Sequence, residues 1–206
     1  STNNFVDITN PFFKVSSNAV IPPTSLVQMT QQPKPVKPLS EGHLRWVRME
    51  RDGELPDESV IGGWENGETQ FIIRGPHQGS LTPGKYVPSE GMAYICWGGR
   101  THVIDDFEVL QGFNFQWIPS HGCEIPKNAF VAGYSEIGDP LFVGRVHLQD
   151  DLIVGKVHAT HKLCYLPIGS TEISSQEFEI LTIPGQNIHV VPDILVTHLF
   201  QNLNYY

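Results

Sequence analysis

Along the middle of the chain, apolar residues come in short runs bounded by glycine or proline. In the first part these are Phe71-Ile-Ile-Arg74, Ala93-Tyr-Ile-Cys-Trp97 and Thr101 to Leu110. Further on come Leu141-Phe-Val-Gly-Arg145, Leu163-Cys-Tyr-Leu166 and Phe178-Glu-Ile-Leu-Thr-Ile183. Runs this short, rich in β-branched and aromatic residues, predict strands. Helical spacing shows only after Pro184, where Asp193 is placed as an N-cap and Ile194, Leu195, Leu199, Phe200 and Leu203 fall roughly on one face. That stretch predicts a short helix or a last strand. It either finishes the core or serves as an oligomerisation or partner-binding peptide.

The strand runs are written twice. Trp46 matches Trp117, Pro56 matches Pro126, Gly63 matches Gly133 and Arg74 matches Arg145. Lys85 matches Lys156, Tyr94 matches Tyr165, Gly98 matches Gly169, and Phe107-Glu108 matches Phe178-Glu179. The offset is 71 residues, slipping to 70 between the first loop and the central strand. A copy of about 70 residues buries too little apolar surface to outweigh its chain entropy alone. Two copies are therefore expected to share one core as a pseudo-twofold antiparallel β-sandwich or barrel, all-β, with two equivalent sites. The expected division is an arm over 1–41, repeats over 42–112 and 113–183, and a tail over 184–206.

Composition agrees with that class. The 206 residues are 40% hydrophobic, and 19 Gly with 16 Pro interrupt the chain too often for long helices. A net charge of -9 excludes a general phosphate-binding surface, so nucleic acid is not an expected partner. No apolar run approaches the roughly 20 residues a membrane-spanning helix needs. The first 40 residues set Asp7 against Lys14, Lys34 and Lys37, a balance of +2 in a chain that is otherwise acidic. Five prolines between Pro22 and Pro38 predict extended chain there, and Phe5, Val6, Ile8, Phe12 and Phe13 form an apolar cluster suited to docking on the body or on a protein partner. Plain disorder is the other reading of that arm.

The order Trp, Pro-x-x-Ala/Ser-Val/Phe-x-x-Gly, Pro-Leu-Phe-Val-Gly-Arg, Pro-Gly-Lys and Cys-Tyr-x-Pro-x-Gly resembles the DM9 repeat. The resemblance runs from about Gly42 to Ile183. The second copy is the closer, with Ile125-Pro-Lys-Asn-Ala-Phe-Val-Ala-Gly133, Asp139-Pro-Leu-Phe-Val-Gly-Arg145, Val154-Gly-Lys156 and Cys164-Tyr-Leu-Pro-Ile-Gly169. The first has Leu55-Pro-Asp-Glu-Ser-Val-Ile-Gly-Gly63, Arg74, Thr82-Pro-Gly-Lys85 and Trp97-Gly-Gly99. The resemblance implies a tandem DM9 protein of the mannose-binding, lectin-like kind found in invertebrate innate immunity and able to form homo-oligomers. It also implies a sugar site made by a carboxylate after the Gly-Gly turn and the lysine of Pro-Gly-Lys. On this chain these positions are Glu65 with Lys85, and Ser135 with Lys156. Ser135 departs from the pattern by losing the charge, unless Glu136 or Asp139 substitutes.

The chemistry of such a pair suits a sugar. A hexose offers neighbouring hydroxyls that each donate and accept, so a carboxylate beside an ammonium matches them with charge-assisted bonds. Trp64 and Tyr134 are the aromatic candidates for covering the ring. The plainer reading is that Lys85 and Lys156 cap turns and Trp64 covers the core edge.

Other chemistry is weaker. His158-x-x-His161 lacks a third ligand for zinc and reads as strand-turn. Cys123 with His121 resembles a nucleophile and base only superficially, and a buried or edge thiol is the plainer reading. Three cysteines and no Asn-x-Ser/Thr site point to free thiols and a cytoplasmic setting. Because the chain opens at Ser1 without Met, it reads as processed or as a piece of something longer, and a leader removed before Ser1 would make it secreted. Gly62-Gly-Trp-Glu-Asn-Gly67 lacks the Lys-Ser/Thr of a phosphate loop, and no nucleotide loop supports the methyltransferase label some DM9-containing proteins carry. The expectation is a glycan-binding protein without catalysis or cofactor. The competing class is an assembly protein that uses its two ends as partner-binding segments.

Overall fold

A computed structural model describes residues 43–49, 53–122 and 124–184, so the arm, the tail and Cys123 lie outside the described residues. Fourteen strands fill this body: β1 (Arg45–Met49), β2 (Ile61–Glu65), β3 (Glu68–His77), β4 (Ser80–Val87), β5 (Met92–Trp97), β6 (Arg100–Ile104) and β7 (Phe107–Gln111), then β8 (Gln116–His121), β9 (Val131–Tyr134), β10 (Pro140–Leu148), β11 (Asp151–His158), β12 (Leu163–Ile168), β13 (Thr171–Ser175) and β14 (Glu177–Thr182). The described residues form no α-helix; Ala159–His161 make one 3-10 turn.

Eight strands close an antiparallel barrel in the order β2-β3-β4-β5-β6-β13-β12-β11, with β11 returning to β2. Strands β7 and β1 extend from β3, while β14 and β8 extend from β10. The two halves of the chain exchange contacts along matching seams, β11 against β2 and β4 against β9. Both seams need glycine for close approach. A Cβ on Gly63 would lie 1.9 Å from the Leu152 carbonyl oxygen, and one on Gly133 would lie 1.9 Å from that of Leu81.

The repeated Trp, Arg and Phe-Glu positions now have a physical role. Arg74 Nε donates to Glu108 Oε2 at 2.7 Å, its guanidinium sits 4.4 Å over Trp46, and Nη1 reaches across to the Ala132 carbonyl at 3.0 Å. Arg145 does the same with Glu179 at 2.8 Å, Trp117 at 4.0 Å and the Gly62 carbonyl at 3.3 Å. Each arginine thus anchors its own half and ties it to the other. Stacking on indole and a carboxylate partner are what make arginine suit this place.

Two expectations need adjusting. The core is not one shared mass, because Ile73, Ile95, Phe107 and Val109 cluster within the first half and Ile153, Leu166, Phe178 and Ile180 within the second. A third cluster joins the halves through Val60, Ile72, Leu110, Ala132, Val143, Val154 and Leu181. The run from Thr101 to Leu110 is two strands. Asp105 and Asp106 are exposed between buried Ile104 and Phe107, so the chain turns there out of the barrel and β7 runs between β3 and β1.

Candidate functional site

Glu65 ends β2 and Lys85 lies in the middle of β4, so neither caps a turn. Lys85 Nζ donates to Glu65 Oε2 at 2.5 Å, and Gln70 Nε2 donates to the same oxygen at 2.7 Å. The Lys85 side chain is 5% exposed and that of Glu65 is 20% exposed. Lysine is rarely this buried unless an acid accompanies it. Its glycine neighbour makes the placement possible, since a Cβ on Gly84 would lie 2.0 Å from the Tyr94 carbonyl oxygen. That approach sets Tyr94 opposite Lys85 in register.

These residues line a cavity of about 410 Å³ with Glu68, Glu90, Tyr94 and Thr101, and with Pro167 and Gly169 of the second half. The volume falls in the range of small-ligand sites, about 300–1,000 Å³. Tyr94 donates its hydroxyl to Glu90. Burial, followed by the Glu90 carboxylate, pushes the Tyr94 phenol up to about 12, so it stays neutral. Glu68 accepts from the Ser89 amide at 2.7 Å and from its hydroxyl at 2.5 Å, which holds its carboxyl below the usual range. Both bonds to Glu65 fall on one oxygen. Oε1 is left, among the described residues, to accept from a ligand, and Lys85 keeps two further protons to donate.

Trp64 does not join this cavity. As the strand neighbour of Glu65 it faces the other way, and its indole donates to the Asp150 carbonyl at 2.9 Å on the β10–β11 hairpin. Trp64 is 42% exposed there. Tyr134 holds the matching place on β9, opposite Leu81 and Pro140.

The second lysine is held differently. Lys156 Nζ donates to the Cys96 carbonyl of the first half at 2.5 Å and lies 3.7 Å from Glu172 Oε2. Ser135 takes no part: its hydroxyl accepts the Asp139 amide at 3.0 Å and the Ile137 amide at 3.4 Å, closing its own turn. Asp139 is directed to His158, 3.9 Å from its Nε2. His158 ends β11, and the 3-10 turn folds His161 back onto it with rings stacked at 3.6 Å. Among the described residues no group of three or more His, Cys, Asp or Glu is arranged to hold a metal ion. Cys96 and Cys164 are buried free thiols, and burial raises both above the usual range.

The family model for the DM9 repeat matches residues 64–175, more than half of the chain. The chain belongs to the DM9 repeat family. Both Glu65 and Lys85, and both Ser135 and Lys156, fall inside the matched DM9 span. Among solved structures, the crystal structure of the nematode sperm cell motility protein MFP2B is similar at a TM-score of 0.53 and 14% identity, over 76% of this chain and 51% of that one. At that identity the likeness shows the fold alone, and the DM9 chain spans about half the length of MFP2B. No curated protein sequence matches it.

Several residues of the DM9 cavity escaped the sequence reading. Gln70, Glu90 and Thr101 carry no repeated signature. Tyr94 and Tyr165 do, as anchors of the repeat, and their opposition to Lys85 and Lys156 is the cue that could have placed them.

Proposed function

We propose that this protein is a lectin-like recognition protein of the tandem DM9 type, binding mannose-type glycans in the Glu65–Lys85 cavity. One observation carries the reading: a lysine and a carboxylate, both largely buried, meet at 2.5 Å on the wall of a cavity of small-ligand size. Such a pair can accept a hydrogen from one sugar hydroxyl and donate to its neighbour, inside a site where water competes weakly. Tyr94 supplies the aromatic side chain that Trp64 does not. The family resemblance supplies mannose and an invertebrate immune setting. On this reading the protein works without catalysis or cofactor, as a cytoplasmic homo-oligomer whose repeated presentation of a weak site raises avidity.

The test is binding of the pure protein to a panel of mannose-containing glycans, alongside Glu65→Gln and Lys85→Ala, with light scattering on each sample. We expect binding to fall at least about tenfold in both variants at unchanged oligomer size, since each removes a charged hydrogen bond to the ligand. No binding by the wild type would end the lectin reading. An assembly role would then be the better account, and loss of the oligomer on deleting residues 1–40 would be its mark.

A further inference from the structure

The second half holds a larger cavity, of about 650 Å³, whose lining includes neither Lys85 nor Lys156. It opens between the end of β8, the last residues of β10 and the start of β14, where the buried residues Ser120, Val146 and Phe178 line it.

The first half shows why this space exists. Met49, Gly75 and Ile104 stand 71 residues before Ser120, Val146 and Ser175. Met49 and Ile104 are buried in one cluster with Phe107, and a Cβ on Gly75 would lie 2.3 Å from Ile104 Cδ1 and 2.6 Å from the Asp106 carbonyl oxygen. Two large apolar side chains thus fill the place, and glycine lets the chain pack against them. The second half sets serine at both apolar positions and valine where the close approach needs glycine. Emptied core volume is destabilising, so a void made by three replacements at one place points to an occupant.

The lining is apolar inside and acidic around it. Val146 and Phe178 offer hydrocarbon, and the buried Ser120 hydroxyl donates only to the Ile118 carbonyl, at a long 3.4 Å. Glu124, Glu177 and Glu179 also line the cavity, against the single guanidinium of Arg145. With His121 and His147 neutral, three carboxylates against one guanidinium leave a charge of -2. Arg145 is already engaged by Glu179, by the Trp117 ring and by the Gly62 carbonyl. Glu177 is 78% exposed and gives one oxygen to His121, while Glu124 is exposed and makes no ion pair among the described residues.

We propose that this cavity binds a small organic cation, an amine carried on an apolar body. The body lies against Val146 and Phe178, and the ammonium is directed to Glu124 and Glu177. Burial of hydrocarbon supplies affinity, and charge-assisted bonds to the carboxylates select the cation. The volume falls in the range of small-ligand sites, about 300–1,000 Å³. The site lies within the second half and does not depend on the carbohydrate reading of Glu65–Lys85.

The test is a titration of the whole ¹⁵N-labelled protein with 2-phenylethylamine, beside 2-phenylethanol and 3-phenylpropionate as its neutral and anionic counterparts. The amine should shift amides around Ser120, Val146 and Phe178 and bind there at least about fivefold more tightly than either counterpart. Glu124→Gln with Glu177→Gln, both at exposed positions, should bring the amine down to the level of the alcohol. Ser120→Met restores the side chain of the first half and should abolish the shifts; if that variant fails to fold, the glutamine pair carries the test alone. Glu65→Gln should change nothing here. No shift in this region, equal binding of the three probes, preference for the carboxylate, or amine binding untouched by the glutamine pair would each overturn the proposal.

Discussion

Lys85 and Lys156 occupy matching places in two copies of one pattern, both on central strands, both buried, and both opposite a tyrosine. Their partners differ entirely. Lys85 meets Glu65 at the end of β2 and borders an open cavity, whereas Lys156 meets a backbone carbonyl and, at longer range, Glu172 on β13. One residue difference explains the start of this divergence. Where Glu65 reaches out to an ammonium, the Ser135 hydroxyl is too short and turns back to its own loop. Each half buries a lysine in a matching frame, and the nearest carboxylate comes from a different strand in each.

The frame itself is nearly the same in both halves, and breaking it gives the largest expected effect. Gly63→Ala or Gly133→Ala puts a methyl into a backbone carbonyl at the seam, with no flexible side chain to yield. Each should cost about 4 kcal/mol or more and remove both sites together, seen as loss of cooperative thermal unfolding. Equal damage from the two variants would mark the seams as equivalent even though the sites are not.

A smaller effect separates Ser135 from ligand binding. Ser135→Ala removes two acceptor contacts within one turn and should cost about 1 kcal/mol in chemical denaturation. Glycan affinity should stay as in the wild type. A drop in affinity would return Ser135 to the site that the sequence pattern gave it.

The smallest effect concerns acid. Burial, and then the neighbouring His161, hold His158 below its ordinary value, with Asp139 opposing. The unfolded chain therefore takes up the proton first as pH falls through about 6.5, and stability declines from there until the folded imidazole also titrates. The first half has no histidine pair at the matching place, so melting temperature between pH 7.5 and 5.5 should fall less in His158→Gln than in the wild type. An equal slope in both would remove His158 from the account.

Much of the fold was legible because its anchors are chemically specific. Trp46, Arg74 and Glu108 recur as Trp117, Arg145 and Glu179, and a cation over an indole beside a carboxylate is an arrangement few residues can make. Strands β4 and β11 were harder to see. They are buried on both faces and carry Pro-Gly-Lys or Val-Gly-Lys in their centres, so they show no alternation and read as turns. The Glu65–Lys85 pair was visible through the resemblance, and its geometry followed. Trp64 lies away from the Glu65–Lys85 cavity because adjacent residues on a strand take opposite faces, which sequence proximity does not reveal. Glu172 was invisible for another reason: it lies on a strand that pairs with the other half of the chain, and nothing local marks a contact made across a barrel seam.

The most direct test of the central claim is a crystal structure of the protein with methyl α-mannoside. The account predicts the sugar in the cavity between β2 and β4, with neighbouring hydroxyls on Glu65 and Lys85. A sugar bound away from that pair, with the Glu65–Lys85 cavity empty at saturating ligand, would contradict it.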